Sequence, residues 1–293
     1  MLLRIILYLC FTLMIVDIDA LREWIGRTEV SSDEVTPVPS EALSATLDRE
    51  APKFGDPLPP FWHWLYFLPI HRQSELDQDG HLRRGAYLPP VPLARRMWAG
   101  SRLEFYRPLR VGDRISRVSL ISDVSCKQGR TGPLVFVTVR HQVSNTEGLA
   151  LTEDQDLVFL ENPKVHNPAP SKTAPTDFEW QRNICPDPIM LFRYSALTFN
   201  AHRIHYDRRY AMEVEGYPGL VVHGPLIATL LLELLHRNLP DSVVSRFTFR
   251  SIRPLFDTAG FSVCGRRVAQ KTVELWAHDA ENLLAMQANA TLG

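Results

Sequence analysis

The stretch FRYSALTFNAHRIHYDRRYAMEVEGYPGLVVHGPLIATLLLELL, residues 192–235, decides the fold of this chain. Its second part is an apolar run from Leu226 to Leu235 that carries Glu233 as its one charge. A run of about ten residues is too short to cross a bilayer, and it suits a helix that is buried on all sides. The first part holds polar side chains close together in sequence: Asn200, His202, His205, Asp207 and His223. Titratable groups therefore come just before a buried helix, whose first N–H groups lack partners within the helix.

The carboxamide of Asn200 and the imidazole of His205 predict proton-transfer chemistry. Such a pair can hold a water molecule in two hydrogen bonds, and an imidazole with a reference pKa of about 6.5 exchanges protons near neutrality. The free N–H groups of the helix can stabilise an oxyanion, as carbonyl or thioester chemistry requires. Structural roles stay open for His202 and His223. No cysteine or carboxylate at ligand spacing completes a metal site around the histidines, so no metal is predicted.

The composition excludes several classes of function. At 293 residues, the chain is long enough for two ordinary domains or one large one, and 45% apolar and 22% charged residues are typical of globular proteins. The net charge of −1 gives no case for nucleic acid or for a stable membrane association. The cysteines are scattered without a CxxC pair, which predicts neither a disulfide framework nor a zinc site and favours the cytoplasm. They are Cys10, Cys126, Cys185 and Cys264.

Residues 1–20 form an apolar N-terminal extension that we treat apart from the fold. The apolar run from Ile5 to Val16 is consistent with a signal segment, but no clear small-x-small cleavage site follows it. At about twelve residues the run is short for a membrane anchor. Translation from Met14 is a third interpretation, in which the upstream residues come from a misplaced start. A signal or a membrane tether therefore stays open as the alternative to a cytoplasmic protein.

The remaining chain divides into two halves with a similar order of elements. Residues 21–160 begin with a helical pattern over 21–50, pass through loop-like residues 80–100, and then alternate as four strands separated by glycine-containing turns. The proline-rich segment 161–177 is predicted to be a linker, and residues 178–293 again give a helix followed by four strands. Arg-Pro-Leu triplets begin at Arg107 and at Arg253, 146 positions apart. The predicted fold is α+β, with two tandem repeats that each wrap an antiparallel sheet around a long helix.

The quoted stretch resembles the hydratase-2 motif of the MaoC-like hotdog enzymes. Those enzymes carry Asp-x-Asn-Pro-x-His and, further on, an apolar stretch that ends in His-Gly before the hotdog helix. Here His205 matches the motif histidine and His223-Gly224 matches the helix-entry pair, while Asn200, His202 and Arg203 replace the Asp, Asn and Pro. The segment FNAHRIHYD, together with PPFWHWLYFLP near residue 60 and RRMWAG near residue 97, looks most like the mesaconyl-C4-CoA (3-methylfumaryl-CoA) hydratases. The itaconyl-CoA hydratases are the next most similar. The resemblance implies a double hotdog.

The resemblance also implies the reaction, namely reversible addition of water to an α,β-unsaturated dicarboxylic acyl-CoA thioester. Asn200 would orient water, His205 would carry the proton, and the Gly224 N–H would stabilise the enolate-like thioester oxygen. The predicted substrate-binding residues are Arg203, His202, His223, Arg96 and Trp98. A free carboxylate requires a cation in the pocket, and Arg95 and Arg102 are further candidates. The acyl-CoA is the substrate, no cofactor is predicted, and the first half would be a non-catalytic repeat.

Other functions stay open at this point. Itaconyl-CoA, another enoyl-CoA or a 3-hydroxyacyl thioester are alternative substrates. A thioesterase on the same fold would need a carboxylate near the carbonyl, and Asn200 argues against it. A non-catalytic acyl-CoA-binding module is the third interpretation. The presence of His205 together with His223-Gly224 argues against it. Two fused hotdogs already make an internal pseudo-dimer, so a homodimer is compatible with the sequence but is not required.

Overall fold

A computed structural model describes residues 16–129, 132–161 and 172–293. Its helices are α1 Ile18–Arg22, α2 Pro37–Thr46, α3 Pro188–Leu197, α4 Arg208–Glu213 and α5 Gly224–Asn238. Its strands are β1 Thr28–Glu34, β2 Arg95–Phe105, β3 Arg114–Gly129, β4 Gly132–Asn145, β5 Gly148–Leu160, β6 Trp180–Ile184, β7 Val244–Ser251, β8 Phe261–Ala269, β9 Thr272–Asp279 and β10 Leu284–Leu292. Short 3₁₀ turns span Trp62–Leu65, Gln73–Glu75 and Arg203–His205. In the part of the chain so described, no helix is long and apolar enough to cross a membrane.

The strands form one antiparallel sheet in the order β1-β3-β4-β5-β2-β7-β10-β9-β8-β6. Five strands of the first half are therefore followed by five of the second half in mirrored order, and β2 pairs with β7 at the centre. Arg102 faces Thr248 in this pair, and these residues are 146 positions apart, as the two Arg-Pro-Leu triplets are. Each triplet follows one of the two central strands. The faint sequence repeat thus marks a pseudo-twofold relation between the halves.

Helix α5 is the buried helix that the apolar run predicts. Pro225 lies in its first turn, where a proline loses no helical hydrogen bond, and all residues from Leu226 to Leu235 are buried. The helix packs on β8, β9, β10 and β6. Glu233, also buried, is held by Arg49 at 2.6 Å and by Arg237 at 2.9 Å. These contacts fix the helix and, with it, the position of its N-terminus.

The first half differs from the second in what covers its sheet. Its helix α2 has ten residues, shorter than expected, and packs against α3. Aromatic side chains of the 3₁₀ turn Trp62–Leu65 contact the strands, where the buried Glu153 accepts hydrogen bonds from His63 Nε2 and Trp64 Nε1, both at 2.9 Å. The helical pattern over 21–50 is wrong for Thr28–Glu34, which is strand β1 paired with β3.

Two of the proposed domain boundaries fall partly outside the described residues. Residues 1–15 and 162–171 lie outside the described residues. The signal, tether and start-site interpretations concern the first of these ranges, and most of the predicted linker falls in the second. Helix α1 begins at Ile18, inside the proposed extension 1–20, and Leu21 packs with Ile121 and Val124 of β3. At the other boundary, Ala174 is buried and its N–H donates to Asn282 O at 2.9 Å.

Candidate active site

A tight turn after α3 fixes the side chain of Asn200. Phe199 has a φ of +49°, an uncommon value for a residue with a side chain, and the Asn200 N–H donates to Ser195 O at 2.8 Å. The Asn200 Oδ1 accepts from the His202 N–H at 3.0 Å. Because a backbone N–H can only donate, this bond identifies the amide oxygen and leaves Nδ2 as the outer end of the side chain. Asn200 therefore presents N–H donors to its surroundings.

The hydrogen bonding of His205 defines its tautomer. Its Nδ1 lies 2.8 Å from Val221 O, and a carbonyl oxygen can only accept, so Nδ1 carries the proton. In the neutral ring, Nε2 is then the acceptor. Burial lowers the pKa of His205 to about 4, against the smaller opposing effect of the Val221 hydrogen bond. At neutral pH this histidine is a base with its accepting nitrogen free of the Val221 contact.

His223 lies directly against His205 and precedes α5. The two rings stack with centroids 3.7 Å apart and an angle of 19° between their planes. His223 Nε2 lies 2.8 Å from the Ser195 hydroxyl, and its Nδ1 is buried without a hydrogen-bond partner among the described residues. Burial holds the pKa of His223 well below its usual value, and the neighbouring His205 adds to this. His223 therefore supports the His205 ring from behind as a neutral group.

Gly224 opens α5 at the point where the helix meets this cluster. It is partly exposed, and no acceptor for its N–H lies among the residues that the structure describes. A side chain at this position would meet only Ser251 Oγ, at 3.5 Å from the Cβ, so local packing does not demand a glycine here. The free N–H and the positive end of the helix dipole form a site for a developing negative charge.

A loop from the first half docks onto the 200–205 segment. The Arg203 N–H donates to Asp79 O at 2.9 Å. Gly80 has a φ of +92°, and a Cβ there would lie 1.7 Å from Ala201 O, so only glycine fits. Backbone packs directly on backbone at this joint. The two repeats are therefore locked together at the candidate site.

This loop adds a carboxylate and a fourth imidazole to the cluster. Both oxygens of Asp79 accept from His81, from its ring Nδ1 and its backbone N–H at 2.8 Å each. The ring of His81 lies 4.1 Å from that of His202, which lies 5.3 Å from that of His205. Burial lowers the pKa of His81 to about 4 and that of His202 well below its usual value. A row of neutral imidazoles thus extends from α5 to the first half.

Comparison with known proteins assigns the family. Residues 61–257, more than half of the chain, match the family model described as "Hydroxyacyl-thioester dehydratase type 2". The chain is also 47% identical over 273 residues to the mesaconyl-C(4)-CoA hydratase of Chloroflexus aurantiacus, covering 92% of this chain and 97% of that enzyme. This protein belongs to the hydroxyacyl-thioester dehydratase type 2 family. The predicted enzyme class, a hydro-lyase of the hydratase type, is confirmed at this level.

Solved structures agree on the fold of this family member. A MaoC-like dehydratase superposes with a TM-score of 0.72 at 15% identity, covering 93% of this chain and 99% of that one. A conserved hypothetical protein from Mycobacterium tuberculosis with a double hotdog fold superposes with a TM-score of 0.59 at 13% identity, covering 92% and 96%. The predicted α+β double hotdog is confirmed.

The hydratase-2 motif residues of this family member contact one another, whereas Trp98 lies apart from them. Trp98 is on β2, in a segment expected to be a loop, and its indole donates to Ser101 Oγ at 2.9 Å. Its ring packs with Phe61, Trp64 and Phe249 in the core. The structure thus places Trp98 in the wall of the first repeat and shows no contact with the 200–205 segment among the ring contacts of the described residues.

The four arginines considered for binding a substrate carboxylate differ in the ion pairs that they already form. Arg95 pairs with Glu215 at 2.8 Å, and Arg102 binds Asp156 through two nitrogens. Arg203 pairs with Asp207 at 2.7 Å, donates to Gln78 O at 3.1 Å and lies over the Tyr210 ring. These contacts place Arg203 at the joint between the repeats, and its expected role at the substrate stays a prediction. The remaining candidate, Arg96, has no ion pair with any carboxylate that the structure describes.

The sequence prediction missed Asp79 and His81. The signal was Asp-Gly-His at 79–81, an acidic residue and a histidine around a turn glycine, in a segment treated only as loop. With His202 they also have the composition of a metal site, since donor atoms of all three lie within 4.8 Å. Both Asp79 oxygens are already hydrogen-bonded, however, and the positive charge of Arg96 acts on His81 and His202. The arrangement fits a hydrogen-bonded polar cluster better than a cation site.

Proposed function

We propose that this protein catalyses the reversible hydration of mesaconyl-C4-CoA to citramalyl-CoA. The observation that carries the proposal is the base tautomer of His205, with Nδ1–H held by Val221, next to the free N–H at the start of α5. The identity of 47% to a mesaconyl-C(4)-CoA hydratase supports the choice of substrate. The site roles given below are part of this proposal.

The mechanism follows from donors and acceptors. Asn200 Nδ2 donates to the oxygen of a water molecule, and His205 Nε2 accepts one of its protons as the oxygen attacks the β-carbon. Negative charge develops on the thioester oxygen, which accepts a hydrogen bond from the Gly224 N–H. His205 then transfers the proton that it took from water to the α-carbon, and this step regenerates the base. A positioned base contributes about 10²–10⁴ in rate, and an oxyanion donor about 10²–10³.

Asn200 stands at the position of the usual motif aspartate, and its carboxamide determines which group can act as the base. A carboxamide cannot accept a proton from water, so proton transfer falls on His205. It is also unable to attack or activate water as a thioesterase carboxylate would. Both properties favour hydration over thioester hydrolysis, with His202 and His223 as neighbours that hold the base in place.

The remaining parts of the proposal follow from this chemistry. The reaction requires an acyl-CoA and water, and neither a metal nor a redox cofactor takes part. Residues 178–293 would be the catalytic repeat and residues 21–160 the repeat that shapes the acyl pocket, joined through 161–177. We propose the cytoplasm as the compartment and leave a homodimer as an arrangement that this pseudo-dimer permits.

A second candidate is dehydration of a 3-hydroxyacyl thioester, which the name of the matched family favours. Both reactions use the same groups in opposite directions, so the acyl group distinguishes them. The test compares wild-type rates with mesaconyl-C4-CoA, itaconyl-CoA and crotonyl-CoA. We expect kcat/KM for mesaconyl-C4-CoA to exceed that for crotonyl-CoA by at least tenfold. A preference for crotonyl-CoA would favour the second candidate, and free thiol release would favour a thioesterase.

A further inference from the structure

Among the residues that the structure describes, Arg96 forms no ion pair with a carboxylate, and it lies beside the imidazoles of His81 and His202. Its side chain is only partly exposed, and burial lowers its pKa to about 10 while Asp79 opposes this. The opposite charge that raises the pKa of Arg96 is Asp79, but both Asp79 oxygens accept hydrogen bonds from His81. A partly buried guanidinium with open donors is a ready-made partner for a carboxylate.

The chemistry of the proposed substrate places a carboxylate here. In mesaconyl-C4-CoA the free carboxylate is bonded to the β-carbon, the atom that water attacks. The group that binds it must therefore lie within a few ångströms of the base. Arg96 acts electrostatically on His81 and His202, and His202 contacts His205. Arg96 thus lies beside His81 and His202, and His81 in turn acts electrostatically on the base His205.

His81 is oriented to respond to such an anion. A carboxylate can only accept, so the contact with Asp79 Oδ2 puts the ring proton on Nδ1 and leaves Nε2 bare. The bare nitrogen is an acceptor and repels a carboxylate, whereas the protonated ring would donate to it. The Arg96 charge opposes protonation in the free protein, and a bound carboxylate would offset that charge.

We propose that Arg96 and His81 form the binding site for the free carboxylate of the substrate, and that binding brings one proton from solvent onto His81 Nε2. This inference rests on the proposed function, which it deepens by naming the groups that select a dicarboxylic acyl chain. The Asp79 carboxylate holds the His81 ring between itself and the substrate. Charged and titratable groups that act on this ring come from its own loop, β2 and the motif: Asp79, Arg84, Arg96, His202 and His205.

The pH dependence follows from the linkage. The pKa of His81 in the free protein is about 4, and a carboxylate within hydrogen-bond distance raises it by about 1–3 units. Between these two values the complex holds one more proton than the free protein. The KM for mesaconyl-C4-CoA should therefore rise up to about tenfold per pH unit across this window and then level off. Crotonyl-CoA, which lacks the carboxylate, should show no such rise.

The experiment measures KM and kcat for mesaconyl-C4-CoA and crotonyl-CoA from pH 5.5 to 8, in wild type, Arg96→Gln and His81→Gln. We expect Arg96→Gln to raise the KM for mesaconyl-C4-CoA by about 10- to 100-fold, with less than threefold change for crotonyl-CoA. His81→Gln should raise it less and abolish its pH dependence. Asp77→Asn and His71→Gln, exposed neighbours of the loop, are the matched controls and should behave as wild type.

The outcomes separate this inference from the function on which it rests. Wild-type turnover of mesaconyl-C4-CoA with an unchanged preference in Arg96→Gln would overturn the inference and leave the function standing. The same holds if chelation by EDTA removes wild-type activity and zinc restores it, because Asp79, His81 and His202 would then serve a metal. A folded wild-type protein that hydrates neither thioester would overturn both. Circular dichroism of each variant excludes loss of fold as the cause.

Discussion

Replacing His205 by asparagine removes the proposed base with little change to its anchoring. The amide nitrogen of asparagine lies close to the position of imidazole Nδ1, so His205→Asn retains a donor to Val221 O, now at 2.8 Å from Nδ1. It deletes Nε2, the nitrogen that would take the proton from water. A general base contributes about 10²–10⁴ in rate, which corresponds to about 2.7–5.4 kcal/mol of barrier. We expect kcat to fall by that factor.

His205→Gln is the matched variant, because its amide reaches toward the Nε2 position and abandons Val221. An unpaired buried carbonyl costs about 1–3 kcal/mol. Both variants should lose activity, and the glutamine variant should in addition unfold at lower urea concentration. Activity is measured as loss of the enoyl-thioester absorbance, and stability by urea unfolding followed by circular dichroism. An asparagine variant with more than a tenth of the wild-type kcat would refute the assignment of His205 as the base.

Three further predictions concern the helix start, a buried ion pair and the response to acid. Gly224→Ala keeps the backbone N–H but places a methyl group beside it, with only Ser251 Oγ within 4 Å of the added Cβ. The change in stability should be less than about 1 kcal/mol, but kcat should fall about 10- to 100-fold because the methyl group would hold the thioester oxygen away from this N–H. Equal activity in steady-state assays would argue against close approach of the substrate to the Gly224 N–H. Glu233→Ala should destabilise by about 3 kcal/mol, measured by urea unfolding, because Arg49 loses its 2.6 Å partner; a loss under 1 kcal/mol would contradict this. Burial lowers the pKa of His141 to about 4, below its value in the unfolded chain. The contribution of the neutral ring to the free energy of unfolding is therefore fully present above about pH 6.5 and falls by roughly 3 kcal/mol as the pH approaches 4. Thermal melts of His141→Asn should show a smaller loss of stability on acidification than those of wild type.

Local pattern predicted the second half well. The apolar run with its proline entry and following Pro240 specifies α5, and the motif segment contains Asn200, His202 and His205 within six positions, so their proximity requires no long-range information. The alternating strands were recognisable for the same reason. The two Arg-Pro-Leu triplets, 146 positions apart, indicated a repeat, and the structure shows that each follows one of the two strands that pair at the centre of the sheet.

What depends on contact between the halves could not be predicted. Asp79 and His81 lie more than 120 positions before His202, and their loop docks through Gly80 and the backbone of Ala201, which leaves no periodic signal. Strand β1 is exposed along nearly its whole length, so it lacks the apolar alternation that marks a strand. The sequence also does not show that the Arg203 side chain contacts Gln78 O of the first half, although its position inside the motif predicts a role at the substrate.

The central claim, that this chain hydrates mesaconyl-C4-CoA through His205, is tested most directly by one assay. Purified wild-type protein and His205→Asn are mixed with mesaconyl-C4-CoA, and absorbance loss and free thiol are recorded together. We predict rapid loss of the enoyl-thioester band without thiol release in wild type, and loss slowed at least 100-fold in the variant. Equal rates in the two proteins, or thiol release in wild type, would contradict the account.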